Sequence, residues 1–96
     1  MVRLTLYEKQ HCSLCDAARE VVEDVQDDLH GRLELVLERV DIRADPVLFE
    51  RFRYDVPVLA IDGRPAFRHR VDPARLAARL VSGTPAPLEP GAPEQP

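Results

Sequence analysis

Cysteine is scarce in this chain of 96 residues, with two copies, and lysine scarcer still, with one. So few cysteines exclude a disulfide framework, and the two present, Cys12 and Cys15, enclose a loop too short to restrain an unfolded chain appreciably. Their pairing therefore reads as chemical, and a bridge between them as reactive. Positive charge is not in excess either: the formal net charge is -4 and the pI about 5.3, which leaves no electrostatic footprint for DNA or RNA. Twelve arginines are scattered among carboxylates and read as solvated helix and strand faces. No apolar run approaches the length of a membrane span, and the opening MVRLTLYEKQ is charged throughout, unlike a secretory signal. The expected location is the cytoplasm, where thiols stay reduced, with no membrane or nucleic-acid partner. A chain of this length also excludes two independent cores; it has room for one domain burying roughly 60 to 65% of its unfolded surface.

What is present is a set of alternating short patterns. Arg3 to Tyr7 sets Leu4 and Leu6 against Arg3, Thr5 and Tyr7, a strand at period two. From Leu14 the apolar positions Ala18, Val21, Val22, Val25 and Leu29 follow in steps of three and four, the stripe of a helix that Gly31 is expected to cap. Leu33 to Ile42 is dense enough in apolar residues to predict a strand buried on both faces. A strand, helix and strand in that order form a right-handed βαβ unit with parallel strands. Asp45-Pro46 is a cap followed by a residue suited to the first helical position, predicting a second helix to about Tyr54. Val58 to Ile61, the turn Asp62-Gly63, and Ala66 to Val71 read as an antiparallel hairpin. Asp72-Pro73 repeats the cap-and-proline start for a third helix through Leu76, Ala77, Leu80 and Val81, ended by Gly83. The result is an α/β domain over residues 1–82 with a mixed sheet covered on two faces. Residues 83–96 hold five of the nine prolines and are expected to be a disordered tail.

The chemistry concentrates in Cys12-Ser13-Leu14-Cys15, at the handover from the first strand to the first helix. The unpaired N–H groups of a helix start stabilise a thiolate, which predicts a Cys12 pKa below the ordinary value of about 8.5. Cys15, within the same turn, can then resolve a mixed disulfide formed at Cys12. Lys9 and His11 add positive charge upstream; Asp16 opposes it. Val56-Pro57 is the second element. If its peptide bond is cis, the chain bends beside Cys12 and leaves the Val56 N–H and C=O facing outward, ready to pair with an extended peptide or glutathione backbone.

This order of a strand, a CxxC at a helix start, a βαβ unit, Val-Pro, a hairpin and a last helix resembles the thioredoxin fold in its short glutaredoxin form, over about Arg3 to Val81. The resemblance implies a four-stranded mixed sheet in the order β-α-β-α-β-β-α, a thiol-disulfide oxidoreductase using Cys12 and Cys15, and a cis Val56-Pro57 bond. It further implies Lys9, Val56, Pro57 and Asp72 as substrate-binding residues, with glutathione as a co-substrate and protein or glutathione mixed disulfides as partners. No metal ligand set and no bound cofactor is expected, and the chain is expected to be a monomer. Two departures stand out: Ser13-Leu14 replaces the usual Pro-Tyr, and Arg68-His69-Arg70-Val71-Asp72 occupies the place of a Gly-Gly pair, putting bulky Arg70 and Val71 where a ligand would approach the backbone.

Two other classes compete. A metal module would use Cys12 and Cys15 as half of a tetrahedral site completed by His11, His69 or a second chain, or hold a bridging iron-sulfur cluster between chains. A thioredoxin-fold adaptor would keep the cysteines without turnover. Outside the motif, Glu23, Asp24, Asp27 and Asp28 read as the solvated side of the first helix, and Phe49, Phe52 and Tyr54 as core and rim.

Overall fold

The computed structural model describes residues 1–82. The proposed tail lies outside the described residues. Strands β1 (Val2–Glu8), β2 (Leu35–Asp41), β3 (Val58–Ile61) and β4 (Arg64–Arg68) form one sheet in the order β2-β1-β3-β4. Helices α1 (Ser13–Asp28), α2 (Pro46–Phe52) and α3 (Pro73–Ser82) connect and cover it. β1 runs parallel to β2 and antiparallel to β3, and β3 antiparallel to β4. This is the mixed α/β architecture expected from the sequence.

Alternation along β1 separates two cores. Leu4 and Leu6, with Leu59 and Phe67 from the hairpin, face α1 and α3 and bury against Val22, Val25, Leu76 and Leu80. Tyr7, on the opposite face, joins Val58, Phe52 and Ile42 under α2. The ring of Tyr7 stacks on that of Phe52 with centroids 4.7 Å apart.

Several boundaries differ from the sequence reading. β2 is an edge strand with no fully buried residue, because it pairs with β1 alone. Leu35 and Leu37 pack inward while Val36 and Glu38 stay exposed, so its apolar density reflects one covered face, not two. Leu33 does not start that strand; its N–H donates to the Leu29 carbonyl in the turn after α1. Leu29, not Gly31, is the C-cap of α1, and Gly31 takes a left-handed φ of 89° two residues on. Leu14 is exposed instead of joining the α1 stripe, whose first buried member is Cys15. Ile42 leaves the strand for a short 3-10 turn to Ala44, and α2 stops at Phe52. β4 begins two residues earlier than expected and ends at Arg68, leaving His69 in a loop.

The caps behave as their residue types dictate. Asp45 Oδ1 accepts from the N–H groups of Val47 at 2.8 Å and Leu48 at 3.4 Å, with Pro46 at the first position of α2. Asp45→Ala is expected to lower stability by about 1 kcal/mol, read as a shift in the urea midpoint with unchanged slope. The two-residue turn Asp62-Gly63 has positive φ at both positions and is tied to β1: the Arg3 N–H donates to Asp62 Oδ1 at 2.9 Å, and the Asp62 N–H returns a bond to the Arg3 carbonyl at 2.8 Å.

Candidate functional site

The loop from Lys9 turns through His11, at a left-handed φ of 57°, and delivers Cys12 in extended conformation as the N-cap of α1. Cys12 Sγ accepts from the Cys15 N–H at 3.1 Å, the position a serine or aspartate oxygen usually takes at a helix start. Its sulfur therefore sits where the exposed N–H groups and positive end of α1 are concentrated. Cys12 and Cys15 are joined in a disulfide, their Cα atoms 5.2 Å apart. The two sulfurs differ in access. Cys12 is half-buried, whereas Cys15 is 1% exposed and packed among Ile42, Phe52, Val56 and Val58.

Cys12 borders that same apolar cluster, so Val56 and the cysteine pair share one packed unit. The Val56-Pro57 bond is cis and both residues are buried. The Val56 amide is not outward and free, as the sequence reading expected: its N–H donates to the Phe52 carbonyl at 3.1 Å, extending the last turn of α2. Among the described residues the Val56 carbonyl enters no backbone pairing.

The other sequence candidates fall on two sides of the start of α1. Lys9 and His11 are exposed and line a cavity of about 540 Å³ with Asp16, Arg39 and Asp41. Asp72 borders a separate groove of about 260 Å³ with Leu14, His69 and Arg70. Asp72 also caps α3, its Oδ2 accepting from the Arg75 N–H at 2.9 Å. Of the two bulky residues in the loop, Arg70 is exposed at this groove, but Val71 is 6% exposed and belongs to the main core. Asp16 lies 4.0 Å from Arg19 on the exposed side of α1.

A buried carboxylate beside the cysteine loop escaped the sequence reading. Glu8, 9% exposed, accepts from Arg39 Nε at 2.7 Å. Its hydrogen bond and negative charge hold the Arg39 guanidinium still further above its usual range. Glu8 lies opposite Asp41 in the β1–β2 register, and Arg39, two residues back, supplies the opposite charge. The one sequence signal was an acidic residue closing an apolar strand. Among the described residues no group of three His, Cys, Asp or Glu side chains converges as a metal site, and no helix is long and apolar enough to cross a membrane.

A CxxC disulfide at the head of the first helix, on a β2-β1-β3-β4 sheet with a cis proline opening β3, defines a thioredoxin-fold protein. Residues 3–81 match the glutaredoxin-like domain (DUF836), and the chain belongs to that family. It is 29% identical over 77 residues to the Glutaredoxin-like protein YDR286C homolog of Dictyostelium discoideum, covering 78% of this chain and 71% of that one. Protein XcR50 of X. campestris superposes with a TM-score of 0.66 at 31% identity, over 85% of this chain and 99% of that chain. A malaria-parasite thioredoxin-2 superposes with a TM-score of 0.62 at 20% identity, over 88% and 84%, a likeness of fold alone.

Proposed function

We propose that this protein is a thiol-disulfide oxidoreductase that reduces protein or glutathione mixed disulfides through the Cys12/Cys15 dithiol. The observation that carries the reading is the unequal access of two sulfurs at a helix start: Cys12 is reachable and Cys15 is sealed behind it. In the reduced protein the Cys15 N–H and the end of α1 favour the Cys12 thiolate over the thiol. That thiolate attacks one sulfur of the substrate disulfide, forming a mixed disulfide and expelling the other sulfur as a thiolate. Cys15, once deprotonated, attacks the Cys12 sulfur of the mixed species. The Cys12–Cys15 disulfide forms, and the second substrate sulfur leaves as a thiol. Two electrons have passed to the substrate, and two thiols of an external reductant restore the dithiol.

Substrate is held in this scheme by the Val56 carbonyl, which accepts from an extended backbone, with the buried Pro57 shaping the turn that carries it. Lys9 offers a positive charge to a substrate carboxylate on one side of α1, and Asp72 a negative one to a substrate amine on the other. Glutathione fits as a co-substrate on these terms, and the protein acts as a cytoplasmic monomer.

The test is turnover of a glutathione mixed disulfide and of insulin, each supplied with electrons by glutathione in one arm and by thioredoxin reductase in the other. Reduction of at least one probe above the uncatalysed rate is expected. No turnover in any arm would leave the adaptor reading standing instead.

A further inference from the structure

The segment Tyr54–Pro57, which carries the Val56 carbonyl, is held from one side by the last residue of β4 and the first residue after it. The His69 N–H donates to the Pro57 carbonyl at 2.8 Å, one bond beyond the last β3–β4 pair, Val58 with Arg68. His69 Nε2 lies 3.1 Å from the Tyr54 carbonyl oxygen. Arg68 and Asp55 lie 3.9 Å apart across the same two segments. His69 reaches both carbonyls with its backbone at φ 67°, a left-handed conformation uncommon for a residue with a side chain. Strained backbone of this kind persists where the surroundings over-determine it. Here two hydrogen bonds from one residue do so.

We propose that His69 is a positioning residue of the redox site: its ring donates from Nε2 to the Tyr54 carbonyl and holds the Tyr54–Pro57 segment where the Val56 carbonyl can receive a substrate backbone. The inference rests on the oxidoreductase reading for its functional consequence, though not for the geometry. A carbonyl oxygen only accepts, so the neutral ring must carry its proton on Nε2, and the doubly protonated ring donates from the same atom. The clamp therefore survives a change of ring charge. His69 takes no part in the sulfur exchange; it acts through Val56, whose own N–H is bonded to the Phe52 carbonyl at the end of α2.

Two substitutions keep the backbone and change the ring. His69→Gly adopts a positive φ without steric penalty and removes the donor. His69→Asn tolerates the same φ and retains a shorter donor. In reduction of whichever of insulin and the glutathione mixed disulfide wild type turns over, His69→Gly is expected to raise KM roughly five- to tenfold, the scale of one hydrogen bond. The kcat and the rate of Cys12 alkylation by iodoacetamide are expected to stay at wild-type values, with His69→Asn intermediate in KM. Amide hydrogen exchange at Val56 is expected to quicken in His69→Gly, and nitrogen-15 spectra of the wild-type ring to place the proton of the neutral form on Nε2. Unchanged Val56 exchange in His69→Gly overturns the proposal whether or not the protein turns over disulfides, and so does quickened exchange with an unchanged KM. Quickened exchange in a protein inactive on both probes overturns the oxidoreductase reading and leaves the clamp standing.

Discussion

Cys12→Ser is expected to reduce disulfide turnover to the uncatalysed background, a loss on the order of 10³-fold or more, because no other thiol is placed to attack. Cys15→Ser is expected to have a different outcome: the first attack proceeds, and the protein stops as a mixed disulfide with its substrate. The asymmetry follows from position. Cys12 is the N-cap and partly open, while Cys15 is 1% exposed among Ile42, Phe52, Val56 and Val58 and meets substrate only after Cys12 has captured it. Mass spectrometry of Cys15→Ser incubated with glutathione disulfide is expected to show one added glutathione, absent from the Cys12→Ser protein. Alkylation of reduced Cys12 should rise with pH, since only the thiolate reacts, and level off with a midpoint below the ordinary value of about 8.5. A midpoint at that value, together with no turnover, would favour an adaptor that keeps its cysteines without using them.

Phe67→Ala carries the largest expected effect on stability. The ring is 2% exposed, faces Leu59 across the β3–β4 pair, packs in the main core with Leu76 and Leu80, and lies 5.4 Å below the Arg79 guanidinium. Truncation leaves a cavity between sheet and helix that neither side can close, at a cost of about 3 to 5 kcal/mol. Small domains are stable by only about 5 to 15 kcal/mol, so this variant is expected to be partly unfolded at moderate temperature. Phe67→Leu retains most of the volume and is expected to lose roughly half of that or less. Urea unfolding of both variants checks the order, with near-equal slopes showing that folded-state packing is what changed.

The charged groups near Cys12 find partners at two ranges, one within a helical turn and one across the sheet. Asp16, which opposes a thiolate by its sign, lies near Arg19 one turn on, a pairing readable from helix spacing. The Glu8–Arg39 pair joins residues 31 apart and depends on how β2 registers against β1. The arginines at the end of α2 lie over rings next to them in sequence, with Arg51 4.7 Å from the Phe52 centroid and Arg53, the C-cap, 4.7 Å from that of Tyr54. The expectation of a simply solvated arginine face was therefore incomplete on this helix.

Elements whose cause is local were legible in the amino-acid order. Period-two alternation gave β1, the Asp-Pro starts gave α2 and α3, Asp62-Gly63 gave the hairpin turn, and the spacing of Cys12 and Cys15 placed both sulfurs on one helical turn. These depend on interactions over two to four residues, where the period of the backbone dictates which side chains meet. The edge position of β2, the capture of the Val56 N–H by Phe52, the Glu8–Arg39 pair and the reach of His69 to Tyr54 were decided by the tertiary structure. Each depends on which segments are brought side by side and in what register, which composition and spacing leave open; a strand dense in leucine and valine looks alike at the edge and in the centre until its second neighbour is known to be missing.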